Sequence, residues 1–320
     1  MSARRVSFAP LPTPCEPMDR LGAELGFPSG GLLVKRDDLT ALGGGGNKVR
    51  KLERLCADAL EHDADTLVTG GGRQSNHVRM SAGAANRLGL ACTVVLASDR
   101  PDTATGNVLL DELLGPEMVW AGDLDYPALE ARIASEAERI RGEGRNPYVM
   151  PIGGASTIGA LAYVDAAHEL VAQVSDVDLV IVADGSGGTH AGLVAGLGDH
   201  GKVLGVDVGT RPDLDDAVPA MAADVASHAK LSPPAGTVQV DHDHFGDDYG
   251  DPTDACREAL LFAARLEGII LDPVYTGKAM VALIAAAREG RIDPSSQRVV
   301  FMHTGGMPAL FSSRYVGWAR

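Results

Sequence analysis

The feature that most constrains the fold of this 320-residue chain is a repeated alternation of short apolar runs with longer helical patterns. The strand-like runs are 65–70, 92–97, 118–122, 147–151, 178–184, 202–208 and 298–303. The helical patterns that alternate with them are 75–89, 106–115, 126–144, 155–173 and 189–200. Continuous β-branched runs that alternate with helices are typical of parallel strands covered on both faces. The sequence therefore predicts an α/β fold with open, mostly parallel sheets.

One interval interrupts this alternation. Residues 209–252 are rich in Asp and Pro and end in "DHDHFGDDYGDP", and we predict an irregular excursion there. No flexible linker divides the chain, so two domains would have to be interleaved in sequence. We predict a small domain at 52–160 and a large domain made of 1–51 and 161–320.

Composition excludes several classes of function. The net charge of −15 disfavours binding to the phosphate backbone of nucleic acid. No apolar run approaches the roughly 20 residues that cross a bilayer, and the N-terminal segment lacks the apolar stretch of a secretory signal. His242 and His244 alternate with acidic residues, and we interpret them as part of a solvated loop rather than as metal ligands. The widely spaced cysteines indicate reduced thiols in a cytoplasmic protein without structural zinc: Cys15, Cys56, Cys92 and Cys256.

A glycine run precedes one lysine in the segment "LGGGGNKVRKLE", residues 42–53. Glycines raise the entropy cost of folding, so such a run needs a reason, such as tight turning or the close approach of a ligand. The segment is not a nucleotide-binding P-loop, because Lys48 is followed by Val49 instead of Ser or Thr. By itself it also fits a surface turn with a solvated lysine.

Loops that follow predicted strands carry the other candidate residues, because ligands of open α/β sheets bind beyond the carboxyl ends of the strands. In "GGGRQSNHVR" (70–79), Ser75 and Asn76 begin a helix and could cap it or bind a carboxylate. "ADGSGGTHAG" (183–192) offers consecutive small residues at a helix N-terminus, which suits a phosphate. It does not match G-x-G-x-x-G, although a dinucleotide-binding fold stays open as an alternative.

Two further segments complete the set of candidate loops: "LDPVYTGKAM" (271–280), with a tyrosine ahead of a helix, and "HTGGMPALF" (303–311). A lysine that condenses with an aldehyde, near a phosphate-binding loop and a tyrosine, is typical of a site for pyridoxal 5′-phosphate. The four loops and the lysine together therefore predict that cofactor.

Seven motifs carry a family resemblance. They occur in this order: "KRDDLT", "GGNKVRKLE", "GGRQSNHVR", "GSGGTHAG", "DYGDP", "EGIILDPVYTGKAM" and "HTGGMPAL". With them the chain resembles, over nearly its whole length, the fold-type II pyridoxal-phosphate enzymes of the aminocyclopropane-carboxylate deaminase and D-cysteine desulfhydrase family. The resemblance implies two interleaved twisted sheets of the tryptophan synthase β type, a small amino-acid substrate and a homodimer.

The resemblance also implies roles for individual residues. Lys48 would bind the cofactor covalently and, as a catalytic residue, remove the Cα proton, and Tyr275 would stack on the cofactor ring and share in catalysis. The residues implied to bind the cofactor are Lys48, Asn76, Ser186, Gly187, Gly188, Thr189, Tyr275 and Thr276. Tyr249 would be a second catalytic tyrosine, and Ser75 would serve both catalysis and substrate binding. The residues implied to contact the substrate are Gln74, Ser75, Asn76 and Thr304.

Four positions and one loop bear on which substrate the family resemblance implies. The deaminases have glutamate where this chain has Thr276 and leucine where it has Thr304, so both positions favour β-elimination. Arg73 and His190 favour D-cysteine, which would yield pyruvate, sulfide and ammonia, over elimination from L-cysteate. The segment 98–105 is shorter than is usual in the family and lies near the substrate entrance. L-cysteate sulfo-lyase and aminocyclopropane-carboxylate deaminase therefore stay open, with a nucleotide-binding oxidoreductase as the alternative of another class.

Overall fold

A computed structural model of the protein describes residues 5–318, so the ends of the predicted large domain, 1–4 and 319–320, lie outside it. Over this range the strands are β1 (Cys15–Pro17), β2 (Leu32–Arg36), β3 (Thr66–Gly71), β4 (Ala91–Leu96), β5 (Glu117–Trp120), β6 (Pro147–Val149), β7 (Leu179–Asp184), β8 (Val203–Asp207), β9 (Gln239–Asp241) and β10 (Val299–His303). The helices are α1 (Asp19–Glu24), α2 (Lys48–Glu61), α3 (Asn76–Leu88), α4 (Asn107–Leu114), α5 (Tyr126–Gly142), α6 (Thr157–Gln173), α7 (Gly188–Leu197), α8 (Leu214–Ala229), α9 (Asp254–Glu267) and α10 (Thr276–Arg288). None of these helices combines the length and the hydropathy that a bilayer crossing requires.

Two sheets organise the chain. The larger has the order β1-β2-β10-β7-β8-β9, and the smaller has the order β5-β4-β3-β6. Neighbouring strands are parallel throughout, except that β1 and β2 are antiparallel. All strands of the smaller sheet come between β2 and β7 in sequence, so the two sheets are interleaved. The predicted α/β class with two mostly parallel sheets is confirmed.

Helices cover both faces of the larger sheet, as the continuous apolar runs predict. Val180 and Val182 of the central strand β7 pack in one core with α6, α7 and α8. Ile181 and Ala183 point to the opposite face and pack in a second core with α1, α9 and α10. Because successive side chains of a strand alternate between its faces, a strand buried on both sides needs an apolar residue at every position.

The prediction of an irregular excursion over 209–252 is wrong for somewhat less than half of that interval. The helix α8 occupies Leu214–Ala229, and the short strand β9 joins the edge of the larger sheet. Leu214, Val218 and Ala222 are buried at spacings of four residues, which places them on one face of the helix. Pro219 lies inside the helix and argues locally against it, but packing of the apolar face overrides this propensity.

Candidate active site

A cavity of 1320 Å³ lies where β3, β7 and β10 end, and the loops that follow these strands form much of its wall. Ten of the twelve predicted site residues line it: Lys48, Gln74, Ser75, Asn76, Ser186, Gly187, Thr189, Tyr249, Tyr275 and Thr304. The other two, Gly188 and Thr276, are not on the wall. The structure therefore brings together segments that are more than 200 residues apart in the sequence.

The glycine run is a tightly folded platform beneath Lys48. All four glycines, Gly43–Gly46, have positive φ angles. Thr40 clamps the run, because its Oγ1 accepts from the N–H of Gly46 at 2.8 Å and donates to the carbonyl of the same residue at 2.7 Å. A Cβ on Gly45 would lie 2.2 Å from the carbonyl oxygen of Thr40, so only glycine fits there. The run serves close backbone packing, and Lys48 begins α2 at its end.

Lys48 has an amine with an unusual pKa. Burial lowers the pKa of Lys48 from its ordinary value to about 8, and the negative charge of Asp184 opposes this shift only in part. The side chain is half-buried and lies on the cavity wall. A substantial fraction of the amine is therefore neutral near pH 7 to 8, and a neutral amine can act as a nucleophile or a base.

The loop after β7 leads into the N-terminus of α7 and forms a candidate anion site there. Gly187 has φ of +85° and directs the chain into the helix, whose first N–H groups have no partner within the helix. The N–H of Gly187 donates to Asp184 Oδ1 at 3.0 Å, which fixes the turn. The side chains of Ser186 and Thr189 lie on the cavity wall beside this terminus.

Lys51 places a buried amine at the same site, and the sequence analysis did not identify it. Its Nζ donates to the carbonyl of Gly153 at 3.1 Å and lies 2.9 Å from the position that a Cβ on Gly188 would occupy. Within residues 5–318 no carboxylate forms an ion pair with it. Burial and the neighbouring Lys48 hold the pKa of Lys51 well below its ordinary value, so a bound anion would stabilise its charged form. Its spacing of three residues from Lys48 on one helix could have revealed it.

Two buried histidines flank the anion site. Nδ1 of His190 lies 2.8 Å from Asp184 Oδ2, so the imidazole holds the carboxylate that binds the N–H of Gly187 in the loop after β7. His77 lines the cavity, and neither of its ring nitrogens has a hydrogen-bond partner among the described residues. Burial, together with the charges of Lys48 and Lys51, keeps the pKa of His77 well below its ordinary value. A neutral, unpartnered imidazole on the wall can donate one N–H to a ligand.

The segment before α3 combines helix capping with cavity lining. Ser75 is the N-cap, because its Oγ accepts from the N–H of Val78 at 3.3 Å. The side-chain amide of Gln74 binds the backbone just before and at the start of α4. Its Oε1 accepts from the N–H of Asn107 at 2.8 Å, and its Nε2 donates to the carbonyl of Thr105 at 3.3 Å. The N-terminus of α3 thus faces the cavity with N–H groups available to an anion.

Tyr249 and Tyr275 form a pair on the cavity wall. Their hydroxyl oxygens are 2.5 Å apart, and their rings meet edge to face with centroids 5.9 Å apart. Burial raises the pKa of Tyr275 to about 12 and that of Tyr249 well above its ordinary value. Both phenols are therefore neutral at pH 7 and can donate a proton.

The two threonines that resemblance singled out have different surroundings. Thr276 is fully buried, and its Oγ1 donates to Asp272 Oδ1 at 2.6 Å and accepts from the N–H of Asp272 at 2.8 Å. Its only hydroxyl proton is therefore committed to a carboxylate. Thr304 lies on the cavity wall, and its carbonyl accepts from the N–H of Asn47 at 2.9 Å. This bond ties the loop after β10 to the segment that carries Lys48.

The histidines of the loop before Tyr249 are paired with carboxylates. Nδ1 of His242 lies 2.9 Å from Asp207 Oδ2, and its Nε2 lies 2.9 Å from Asp215 Oδ2. Because carboxylates only accept hydrogen bonds, both nitrogens must donate and the ring is an imidazolium. These ion pairs raise the pKa of His242 against the effect of burial. The loop is therefore more than a solvated segment, since the ion pairs of His242 with Asp207 and Asp215 attach it to β8 and α8.

Comparisons with known proteins place the chain among pyridoxal-phosphate dependent enzymes. The family model for pyridoxal-phosphate dependent enzymes matches residues 6–305. The D-cysteine desulfhydrases of Salmonella typhimurium (strain LT2) and Salmonella typhi are each 41% identical over 321 aligned residues, covering 96% of this chain and 95% of the relative. The crystal structure of an ACC deaminase homologue is 36% identical with a TM-score of 0.90 and covers 99% of this chain and 96% of that one. An L-serine ammonia-lyase from Rhizomucor miehei, 17% identical with a TM-score of 0.70 and covering 98% of this chain and 99% of that one, shares the fold.

Proposed function

Because the chain belongs to the pyridoxal-phosphate dependent enzyme family, we propose that it converts D-cysteine and water to pyruvate, hydrogen sulfide and ammonia. The observation that carries this proposal is the amine of Lys48, with its pKa of about 8, on the same wall as a buried anion site. The D-cysteine desulfhydrases that match 96% of the chain support the choice of substrate. The reaction is a β-elimination, which needs a base at Cα and a proton donor for the leaving sulfur.

The residues of the cavity fit the cofactor. Lys51 is a buried amine without a carboxylate ion pair among the described residues, and His77, whose ring nitrogens have no hydrogen-bond partner there, lines the same cavity. Together with the N–H groups of Gly188 and Thr189, they would hold the phosphate, and Lys48 would bind the aldehyde. When bound, the cofactor supplies an electron-withdrawing ring that makes the Cα proton of an amino acid acidic.

The remaining steps are assigned to side chains of the chain itself. We assign removal of the Cα proton to the neutral amine of Lys48. The N-terminus of α3, capped by Ser75, would hold the substrate carboxylate, since its free N–H groups attract an anion. The neutral hydroxyl pair of Tyr249 and Tyr275 would donate a proton to the leaving sulfur. The N–H groups of one helix and the proton donors lie on the same cavity wall, so they can orient a small amino acid.

The pKa of Lys48 makes the capture of cofactor depend on pH. A pKa lowered to about 8 makes the neutral amine dominant above that pH, whereas an ordinary lysine stays charged to about pH 10.4. We expect the rate at which the apoprotein covalently captures pyridoxal phosphate to rise about tenfold per pH unit below pH 7 and to level off above about pH 8. Stopped-flow absorbance measures this rate. A rate that keeps rising to pH 10, as for Nα-acetyl-lysine, would contradict the assignment.

Stereochemical preference tests the proposed substrate. The Cα proton can face Lys48 only when the carboxylate sits at the N-terminus of α3 on the matching side, so the two enantiomers cannot both be well oriented. We expect kcat/KM for D-cysteine to exceed that for L-cysteine by about tenfold or more, equivalent to roughly 1.4 kcal/mol. Initial rates of pyruvate formation give both values, with β-chloro-D-alanine as a second D-substrate. Equal rates, or a preference for L-cysteate, would overturn the choice of D-cysteine.

A second candidate activity is deamination of aminocyclopropane-carboxylate. It is favoured by the similarity to the ACC deaminase homologue, at 36% identity over 99% of the chain. Thr276 argues against deamination, because the deaminases that the chain resembles have a glutamate at this position. The hydroxyl of Thr276 is instead held by Asp272, and Thr276 is not on the cavity wall. Formation of 2-oxobutyrate from the cyclopropane substrate, faster than pyruvate from D-cysteine, would favour this candidate.

We further propose a cytoplasmic homodimer in which 52–160 forms the small domain, and 1–51 with 161–320 the large one. All strands of the smaller sheet fall inside the first range, and all strands of the larger sheet fall in the other two. The four cysteines are unpaired, as in a reducing compartment. Light scattering of the purified protein tests the dimer.

A further inference from the structure

Arg79 is a fully buried arginine whose hydrogen bonds all go to neutral oxygens among the described residues. Its Nε donates to Asn107 Oδ1 at 2.7 Å, and its Nη2 donates to the carbonyl of Gly45 at 3.0 Å and to Asn76 Oδ1 at 3.1 Å. Its Nη1 donates to the carbonyl of Gly43. Burial lowers the pKa of Arg79, and the charged group that opposes this shift is the buried carboxylate of Asp111 on α4. One guanidinium therefore holds both the glycine platform beneath Lys48 and a residue of the cavity wall.

Asn107 provides a second fixed donor to the Oδ1 atom of Asn76, beside the donor from Arg79. Its side chain is fully buried, and its Nδ2 donates to Asn76 Oδ1 at 3.1 Å and to the carbonyl of Gln74 at 2.8 Å. The Oδ1 atom of Asn107 is itself fixed by Arg79. All polar atoms of this amide are thus engaged, and the start of α4 is joined to the cavity wall.

These two donors decide which way the amide of Asn76 points. Its Oδ1 receives hydrogen bonds from Arg79 and from Asn107, so its Nδ2 must point away from both. Within residues 5–318, this Nδ2 donates to no protein group, although Asn76 is nearly buried and lines the cavity. Rotating the amide by 180° would place its NH2 group against two other donors and lose both hydrogen bonds, which would leave buried donors unsatisfied.

We propose that Arg79 and Asn107 are positioning residues that lock the amide of Asn76 so that its N–H, and not its oxygen, faces the ring oxygen of the bound cofactor. This inference rests on the proposed cofactor site. An N–H donor stabilises a negatively charged oxygen, whereas an amide oxygen in the same place would repel it. Locking the amide therefore lowers the pH at which the bound chromophore loses its proton.

The test is a pH titration of the visible absorbance of the reconstituted holoenzyme. We expect the midpoint to rise by about one pH unit in Asn76→Ala, in Arg79→Lys and in Asn107→Ser, because each removes or frees the oriented donor. If Arg79→Lys yields no soluble holoenzyme, the midpoint of the Asn107→Ser variant tests the inference alone. The matched control is Arg50→Lys: Arg50 is equally buried but binds Asp37 and Glu169 away from this wall, so its midpoint should stay at the wild-type value.

A double mutant separates positioning from a general structural effect. If Arg79 acts through Asn76, then Arg79→Lys should shift the midpoint in the wild-type background and add no further shift to Asn76→Ala. Equal shifts in both backgrounds would overturn the inference, as would wild-type midpoints in both the Arg79 and Asn107 variants. A wild-type midpoint in Asn76→Ala would show that Asn76 does not contact the cofactor, and this result would also overturn the inference. Pyruvate formation from D-cysteine by the unmodified enzyme tests the proposed function separately.

Discussion

Replacing Lys48 by alanine is expected to lower kcat for D-cysteine by at least about 10⁴-fold, because it removes the group that both binds the cofactor and takes the Cα proton. No other amine of the described chain can replace it: the neighbouring Lys51 points to the anion site and donates to the carbonyl of Gly153. The visible absorbance that borohydride can discharge should disappear together with activity. Absorbance spectra and pyruvate formation measure the two losses.

Two variants separate the chemistry of this amine from its charge. Lys48→Arg keeps the positive charge at the start of α2 but cannot condense with an aldehyde, so we expect it to be as inactive as the alanine variant. Lys202→Ala removes an exposed lysine far from the cavity wall and should keep full activity. A Lys48→Ala protein that retained both colour and turnover would show that the central assignment is wrong.

The contrast between Lys48 and Lys51 shows what the sequence can predict about this site. Lys48 follows a glycine run, so its local pattern already indicates an unusual backbone. Lys51 has no such local signal, and its role follows from burial beside Gly153 and Gly188, which are more than 100 residues away. Charged residues whose partners come from distant segments are found only after the loops are brought together.

Local propensity also limited what could be predicted about the fold. The central strand β7 is a continuous apolar run whose neighbours in sequence are helical, so its pattern and its environment agree. The helix α8 has Pro219 and two acidic residues in its first two turns, and these residues argue for a loop although its apolar residues recur at helical spacing. Its formation depends on packing against α6 and α7, which no local pattern contains.

The buried hydrogen bonds of Arg79 lie beyond sequence analysis for a third reason. Arginine is mostly an exposed residue, and "SNHVR" gives no sign that this one is enclosed. Its partners are backbone carbonyls of Gly43 and Gly45 and two amide side chains, and carbonyls carry no sequence signal. Sequence patterns therefore indicate residues in the loops that follow strands better than the buried residues that hold those loops in place.

The second large effect is expected from Gly45→Ala. Gly45 has φ of 83° and ψ of 166°, a region that is essentially restricted to glycine, and its added Cβ would lie 2.2 Å from the carbonyl oxygen of Thr40. The loop cannot simply shift, because Thr40 clamps Gly46 and Arg79 holds the carbonyl of Gly45. We expect the free energy of unfolding to fall by at least about 3 kcal/mol and bound cofactor to be lost, because Lys48 is displaced. Denaturant unfolding and the visible absorbance measure the two effects.

Gly115→Ala is the matched control, because it isolates the cost of a positive φ from the cost of the contact. Gly115 ends α4 with φ of 72° and ψ of 35°, and a Cβ there would have no neighbour within 4 Å. Its substitution should lower the free energy of unfolding by only about 1–2 kcal/mol and leave the cofactor bound. If Gly45→Ala cost no more than this and kept its absorbance, the glycine run would be an ordinary surface turn. The larger loss that we expect would instead show that these glycines are required because the backbone must pass within contact distance of Thr40 to place Lys48 in the cavity.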